Sequence, residues 1–266
     1  MKLTMLLFVV ALCAGACAST ETNADAPEEL ALADAQPTTT TAAPTTTSTA
    51  TTTTSTIPPD PFRTWTATAK PQIQYLTVYE EPEGAVYPLP FLVPNPHQFG
   101  GPMTLMIVAG EPGDDWVKVQ LPVRPNGQEA WIRAADYEIG QTRIRAEVEL
   151  STSTVRVFDG DEPIAETLAV VGASATPTPL GTFYVAAKKE NSESEYYLGP
   201  HALVLSGFSE VLETFSGGLP VIAVHGTHRP EQIGDHRSNG CIRVPNDVIE
   251  FLNEHVPVGA PVTISV

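Results

Sequence analysis

One segment of this chain is predicted not to fold, and it confines the folded part to the residues that follow it. Thirteen of the nineteen residues from 38 to 56 are threonine, and residues 18–60 carry six acidic side chains but no lysine or arginine. Too few apolar side chains are present to offset the entropy of ordering the chain. Threonine and proline in this proportion are typical of extended, glycosylated stalks. We therefore predict a disordered tether over residues 18–60.

The residues before the tether predict export. Lys2 precedes an apolar run over residues 3–12, which is too short to span a bilayer and matches a signal peptide over residues 1–17. The sequence Ala-Gly-Ala-Cys at 14–17 is similar to a bacterial lipobox, although Ala14 stands where leucine is usual. An ordinary secretory peptide with an incidental Cys17 is the alternative. We expect an exported lipoprotein, lipidated on Cys17, anchored in the membrane and facing the cell wall.

The charge balance argues against a nucleic-acid partner. There are 14 lysine and arginine residues against 31 aspartate and glutamate residues, a formal net charge of −17. Nucleic-acid binders depend on cations that contact phosphates, so no nucleic-acid partner is expected. Three cysteines cannot form a disulfide scaffold, and signal-peptide cleavage and lipidation would leave Cys241 as the one free thiol.

Residues 61–140 have the pattern of short strands separated by turns. In the stretch 116–121, Val117, Val119 and Leu121 fall on one face of a strand, and Trp116 and Lys118 fall on the other. Short strands at this spacing predict a small open barrel. The succession of "VYEEP", "GDDWVKVQLP" and "EAWIRAAD" resembles bacterial SH3-like domains associated with the cell wall.

Residues 143–266 are predicted to be mainly β, with two short helices. Strand-like alternation covers 144–150, 154–158, 164–171, 183–187 and 262–266, and the all-apolar run 221–224 is typical of a buried strand. Phe208, Val211, Leu212 and Phe215 follow helical spacing, with Ser209 as a cap. A second helix is predicted to begin near Asn246.

The residues that carry chemistry lie between His225 and Arg243. Cys241 follows Gly240 in a polar turn, and His225 ends the apolar strand sixteen residues earlier. Thiol catalysis needs a thiolate, a positioned base and N–H donors for the oxyanion, and these residue types can supply all three. Spacing alone leaves open whether the cysteine and the histidine meet.

Two other interpretations of this stretch compete. His225, His228, His236 and Cys241 are possible zinc ligands, but their spacing is not that of a zinc finger and one thiolate is atypical of structural sites. Alternatively, Cys241 is a structural thiol beside a solvated loop. Structural thiols usually lie in apolar runs, whereas this one has polar, glycine-rich neighbours.

The same stretch resembles the signature of the L,D-transpeptidase (YkuD-like) catalytic domain. The matching positions are His225, Gly226, Thr227, Gly234, Ser238, Gly240, Cys241, Ile242 and Arg243. Upstream "TPTPLGTF" and the closing "PVTI" also fit, which extends the resemblance over residues 143–266. It implies a β-sandwich catalytic domain that follows the SH3-like barrel.

The resemblance also implies a mechanism and roles. Cys241 would attack a peptidoglycan stem peptide between its third, diamino-acid residue and D-Ala, with His225 as the base. Asn239, Gly240 and Cys241 would supply oxyanion-hole N–H groups. The thioacyl group would pass to a side-chain amine of a neighbouring stem and form a 3→3 cross-link, without cofactor or metal. A carbapenem is expected to acylate Cys241.

Some roles stay open. The family usually has histidine where this chain has Asn239, and a backbone amide at that position can still serve the oxyanion hole. Gly226 and Thr227 are expected to support the site. Ser238 either orients the site or shapes the turn, and Arg243 either binds a substrate carboxylate or supports the turn. An L,D-carboxypeptidase that uses water as acceptor, and an inactive peptidoglycan-binding lipoprotein, are the alternative functions.

Overall fold

A computed structural model describes residues 60–266, and the N-terminal part of these residues forms a five-stranded antiparallel sheet. The strand order is β4-β3-β2-β1-β5. The strands are β1 (Thr64–Ala69), β2 (Thr104–Ala109), β3 (Trp116–Gln120), β4 (Glu129–Arg133) and β5 (Tyr137–Thr142), with a 3-10 turn at Ala134–Asp136 before β5. The predicted signal peptide, Cys17 and the tether up to residue 59 lie outside the described residues.

Alternation in β3 defines the buried face of this sheet. Val117, Val119 and Leu121 are at most 1% exposed, whereas Trp116 and Lys118 are half-buried, as the period of two predicts. Strands β1 and β5 carry weaker patterns and were not predicted. The SH3-like assignment of this sheet stays a prediction.

The second sheet has eight strands in the order β14-β12-β11-β10-β15-β6-β7-β8. The strands are β6 (Ile144–Glu149), β7 (Thr154–Asp159), β8 (Glu162–Leu168), β10 (Gly181–Glu190), β11 (His201–Phe208), β12 (Val221–His225), β14 (Ile242–Arg243) and β15 (Pro261–Ser265). A short parallel pair, β9 (Val171–Gly172) and β13 (His236–Ser238), lies beside it, and 3-10 turns occur at Glu193–Leu198 and Pro230–Gln232.

The long strand β10 folds this sheet over one core. Its first four residues pair with β15, and its residues from Val185 onward pair with β11. Side chains from β6 and β7 share a buried cluster with side chains from β11, β12 and helix α1 (Asn246–His255). A single curled sheet thus packs against itself, and the fold is mainly β.

Strand β10 is buried on both faces. Phe183 and Val185 enter the core of the eight-stranded sheet, whereas Tyr184 and Ala186 enter the core of the five-stranded sheet. The described residues 60–266 accordingly lie within one compact unit. The boundary predicted near residues 140–143 stays a prediction.

Polar contacts join the two sheets beside this shared strand. Gln120 Nε2 donates to the carbonyl of Thr182 at 2.6 Å, and Ser206 Oγ donates to Gln120 Oε1 at 3.2 Å. The amide of Asn126 makes two hydrogen bonds with the backbone of Phe208, at 2.8 and 2.9 Å. Gln120, Ser206 and Asn126 therefore each have a partner across the junction, whereas the buried hydroxyl of Tyr184 has none among the described residues.

The helix predicted over 208–215 is wrong. Phe208 is the last residue of β11 and pairs with Val221, while Asn126 binds both of its backbone groups. Ser209 Oγ does accept from Val211 and Leu212 N–H groups at 3.4 and 3.2 Å, but no helix follows. Val211 and Phe215 are about half exposed, so a helix here would have no apolar surface to cover.

The helix predicted near Asn246 is confirmed as α1. The other helical segments of the eight-stranded region are 3-10 segments, Glu193–Leu198 with six residues and Pro230–Gln232 with three. Within residues 60–266, no helix has the length and apolar character needed to cross a bilayer.

A substitution at Gly259 tests how closely the two sheets pack at their junction. It has a φ of +89°, and a Cβ there would lie 2.5 Å from Thr66 Cγ2 of β1. We expect Gly259→Ala to lower the free energy of unfolding by about 2–4 kcal/mol, because backbone strain and overpacking act together. Gly113→Ala is the matched control, since its φ is +105° with nothing within 4 Å. Denaturant unfolding measures both variants, and equal losses would show that the contact with Thr66 is unimportant.

Candidate active site

The predicted cysteine and histidine are brought together by two adjacent parallel strands. Val224 pairs with Ile242, and His225 pairs with Arg243. Because side chains alternate along a strand, Ile222, Val224 and Ile242 enter the core while Ala223, His225 and Cys241 face the other way. The apolar run before His225 therefore anchors the strand that positions the histidine.

His225 and Cys241 line the same cavity, of about 460 Å³. Its wall is made by β10, β11, β12, the Glu193–Leu198 turn, the loop before β12 and a loop of the five-stranded region. The lining residues are Gln98, Phe99, Lys189, Asn191, Glu195, Tyr197, Leu198, Ala202, Val204, Phe215, Ser216, Gly218, Leu219, Val221, Ala223, His225 and Cys241. This volume suits a small ligand or part of a peptide.

The buried imidazole of His225 is held by backbone carbonyls. Its Nδ1 lies 2.7 Å from the carbonyl oxygen of Gly226, which can only accept, so Nδ1 carries the proton and Nε2 is the basic nitrogen. The pKa of His225 is lowered to about 4, mainly by burial and to a smaller extent by the charge of Arg243. Hydrogen bonds to the carbonyls of Gly226 and Leu198 partly oppose this shift of the pKa.

Cys241 is a half-buried free thiol. Burial raises its pKa, while a hydrogen bond with the backbone of Ala223 and the charge of Arg243 act in the opposite direction. Its Sγ lies 4.0 Å from the carbonyl oxygen of Val221. The opposed shifts of the two pKa values favour an uncharged thiol beside an uncharged imidazole.

The turn before Cys241 is shaped by Ser238, which is fully buried. Its Oγ donates to the Cys241 carbonyl at 2.5 Å and accepts from the Gly240 N–H at 3.1 Å. Gly240 has a φ of +111°, and a Cβ there would lie 2.9 Å from Ile222 Cδ1. Because the Gly240 N–H already has a partner, the N–H groups of Asn239 and Cys241 are the better candidates for an oxyanion hole.

A close backbone contact fixes the segment after His225. A Cβ on Gly199 would lie 2.5 Å from Gly226 Cα, so these two backbones touch. Asn246 Oδ1 accepts from the Thr227 N–H at 2.8 Å, and a side chain on Gly226 would collide with this amide. Gly226 and Thr227 thus support the histidine through packing and backbone bonds.

The remaining predicted residues lie at the edge of the site. The side chain of Asn239 is exposed, so its backbone alone is placed to act. Arg243 is half-buried and is not among the residues that line the cavity, although its charge acts on both His225 and Cys241.

The other two histidines of the zinc alternative have separate partners. The ring of His228 contacts Tyr196, with centroids 5.3 Å apart, and His236 Nε2 lies 3.1 Å from Ser153 Oγ. Within residues 60–266, no group of three or more histidine, cysteine or acidic side chains is arranged to hold a metal ion.

Several cavity residues were missed by sequence reasoning. Lys189, Asn191 and Glu195 form a polar wall, and Phe99 reaches the cavity from the five-stranded region. A signal for the polar wall exists in Ser192-x-x-Glu195, because serine followed by glutamate three residues later is the capping-box pattern. Phe99 has no such signal.

The part of the chain that contains His225 and Cys241 is similar to known proteins. Residues 143–264 match the model of the YkuD family, described as the L,D-transpeptidase catalytic domain. This stretch is therefore similar to the L,D-transpeptidase catalytic domain family. The YkuD protein of Bacillus licheniformis, an L,D-transpeptidase by name, is 32% identical over 122 residues, which cover 46% of this chain and 65% of that protein. YkuD of Bacillus subtilis is 38% identical over 96 residues, 36% of this chain and 49% of that protein.

The chain thus spans less than two thirds of these L,D-transpeptidase relatives. Among solved structures, the Enterococcus faecium L,D-transpeptidase catalytic domain acylated by ertapenem is 24% identical, with a TM-score of 0.34 over 46% of this chain and 95% of that one. Mycobacterium tuberculosis L,D-transpeptidase 3, in complex with a faropenem-derived adduct, is 12% identical, with a TM-score of 0.41 over 62% of this chain and 91% of that one.

Removal of the Ser238 hydroxyl tests how the turn before Cys241 is stabilised. We expect Ser238→Ala to lower the free energy of unfolding by about 1–3 kcal/mol, because a buried N–H and a buried carbonyl each lose a partner. Ser151→Ala is the control, since its hydroxyl bonds Glu149 at the surface. Urea unfolding compares the two variants. A Ser238→Ala loss no larger than that of Ser151→Ala would contradict this role.

Proposed function

We propose that this protein is a peptidoglycan L,D-transpeptidase that forms 3→3 cross-links through a thioacyl group on Cys241. The observation that carries the proposal is the shared cavity of His225 and Cys241, within the region that matches the L,D-transpeptidase family. A thiol with an adjacent base and backbone N–H donors has the parts that acyl transfer requires.

The first half of the reaction forms the thioester. His225 Nε2 takes the Cys241 proton as sulfur attacks the carbonyl carbon of the third stem residue, and backbone N–H groups of Asn239 and Cys241 bind the oxyanion. The C–N bond to D-Ala then breaks, and the imidazolium returns the proton to the leaving amine. In the second half, a side-chain amine of another stem attacks the thioester, loses a proton through His225 and releases Cys241 as the thiol.

The pKa values support general-base transfer rather than a resting ion pair. Burial lowers the pKa of His225 to about 4 and raises that of Cys241. The proton therefore stays on sulfur until a carbonyl is bound. The carbonyls of Gly226 and Leu198 then stabilise the imidazolium that forms during reaction.

We also propose that the protein is exported and held at the membrane by lipid on Cys17. The support is the apolar run after Lys2 and the Ala-Gly-Ala-Cys sequence that ends at Cys17. The threonine-rich segment would give the catalytic region reach toward peptidoglycan.

Removing the thiol tests the chemistry. We expect Cys241→Ala to abolish dimer formation from purified disaccharide-tetrapeptide, and to lose the mass adduct that a carbapenem leaves on the native protein, because no other nucleophile forms the thioester. His228→Ala, an exposed residue near the site, is the control for both readouts. Dimer formation by Cys241→Ala, or a native protein without adduct, would overturn the proposal. If the native protein releases D-Ala from the tetrapeptide but forms no dimers, it is instead a carboxypeptidase.

The low pKa of His225 predicts an acid-tolerant reaction. The base must be unprotonated to act. The second-order rate constant for carbapenem acylation should therefore fall to half of its plateau value near pH 4, and not near the ~6.5 of an ordinary histidine. Intact-protein mass spectrometry at timed intervals gives the rate at each pH. Since burial raises the pKa of Cys241, alkylation by iodoacetamide should in contrast increase into the basic range. An acylation midpoint near pH 6.5, or alkylation that is independent of pH, would contradict a neutral pair.

A further inference from the structure

The cavity at Cys241 carries one cation and one anion. Of its lining residues, only Lys189 and Glu195 bear a formal charge when His225 is neutral. Apolar groups such as Phe99, Val204, Phe215 and Leu219 make much of the remaining wall. A ligand with one kind of charge would be attracted by one of the two charged groups and repelled by the other.

The two charged groups are held in fixed positions. Lys189 lies near the end of β10, and its Nζ donates to Glu195 Oε1 at 2.5 Å and to Asn191 Oδ1 at 3.1 Å. Glu195 Oε2 accepts from the N–H and the hydroxyl of Ser192, at 3.1 and 2.9 Å. These bonds with Lys189 and Ser192 lower the pKa of Glu195 to about 2, so it is ionised throughout the neutral range.

Both groups keep capacity for a ligand. An ammonium has three N–H donors, and Lys189 uses two of them within the protein. A carboxylate offers about four acceptor positions, and Glu195 uses three of its own. The side chains of Lys189 and Glu195 are 25% and 32% exposed, so one donor and one acceptor remain available side by side.

We propose that Lys189 and Glu195 bind the zwitterionic end of a diamino-acid side chain, one that bears an amine and a carboxylate on the same carbon. Lys189 binds the carboxylate, and Glu195 binds the ammonium. This inference rests on the proposed function, in which diamino-acid residues occur both in the acyl donor and in the acceptor. The pair selects against side chains that end in an amine alone.

The pair also has a structural role, which the experiment must separate from binding. Asn191 Nδ2 donates to the Gly199 carbonyl at 3.0 Å, and the neighbouring Leu198 carbonyl bonds His225. Disruption of the Lys189–Glu195 pair could therefore lower kcat/KM for every substrate. The ratio of two substrates within one variant removes that common effect, because both reactions use the same His225 and Cys241.

The experiment compares stem tetrapeptides whose diamino acid ends in a free carboxylate or in its carboxamide. With the full-length native protein, we expect kcat/KM to favour the free carboxylate by about tenfold or more, because a charge-assisted bond is lost in the amide. In Lys189→Met the ratio should fall to near one, and in Lys189→Arg it should be retained. A native ratio near one, or an unchanged ratio in Lys189→Met, would overturn the inference.

An exchanged pair and a distant pair are the controls. Lys189→Glu combined with Glu195→Lys keeps opposite charges in contact but reverses their order, so we expect the preference to be lost. Retention of the native ratio by this double variant would mean that the pair is only structural. Lys118→Met combined with Glu129→Gln removes a 3.0 Å pair of similar exposure in the five-stranded sheet, and should keep the native ratio.

Two arms assign the bound residue to donor or acceptor. Amidation of the donor alone is read by release of D-Ala, and amidation of the acceptor alone by dimer yield from the same thioacyl protein. Loss of discrimination in Lys189→Met in either arm supports the inference and identifies which stem the pair binds. Carbapenem adduct formation by the native protein is measured in parallel, so that failure of the proposed function is recognised separately.

Discussion

Burial of β10 on both faces is the constraint on which the rest of the structure depends. Alternate residues of one strand serve two cores, with Phe183 and Val185 on one side and Tyr184 and Ala186 on the other. A shift of one residue in its pairing would move all four side chains into the wrong core. The register of β10 against β11 and β15 is therefore fixed from two directions at once, which makes it a rigid reference for neighbouring strands.

The cavity follows from this register. Strand β11, next to β10, presents Ala202 and Val204 on the side away from the core, and β12, the strand beyond β11, presents Ala223 and His225 on the same side. Small side chains at 202 and 223 leave space above the sheet, while Leu203, Leu205, Ile222 and Val224 fill the core below. The end of β10 adds Lys189 to the same space. Core packing and the chemical site are thus the two faces of one set of strands.

The sequence predicts what is encoded locally. Alternation identified β3, and the apolar run before His225 identified the strand that holds it. Cys241 was found from the residue types and glycines of the stretch that ends at Arg243, and Ser238 from the resemblance of that stretch to the L,D-transpeptidase signature. The false helix at 208–215 marks the limit of such reasoning, because two bonds from Asn126, more than eighty residues away, keep Phe208 in a strand.

What the sequence could not predict depends on contacts between distant segments. The Leu198 carbonyl that bonds His225 and the Gly199 backbone that touches Gly226 come from a turn about thirty residues before them. Phe99 reaches the cavity from the other sheet. None of these contacts leaves a pattern of spacing in the chain, because packing rather than local propensity selects them.

The low pKa of His225 favours one of the two proton transfers of the proposed reaction over the other. A base whose pKa is about 4 draws a proton from a buried thiol weakly, yet its protonated form is a strong acid toward a leaving amine. In the proposed reaction, protonation of the departing D-Ala is thereby favoured more than formation of the thiolate. Stabilisation of sulfur must then come from elsewhere, and the Ala223 backbone and Arg243 both lower the pKa of Cys241. The half-buried Arg243 is thus better placed to stabilise a thiolate on Cys241 through its charge than to bind the proposed substrate, because Arg243 lies outside the cavity lining.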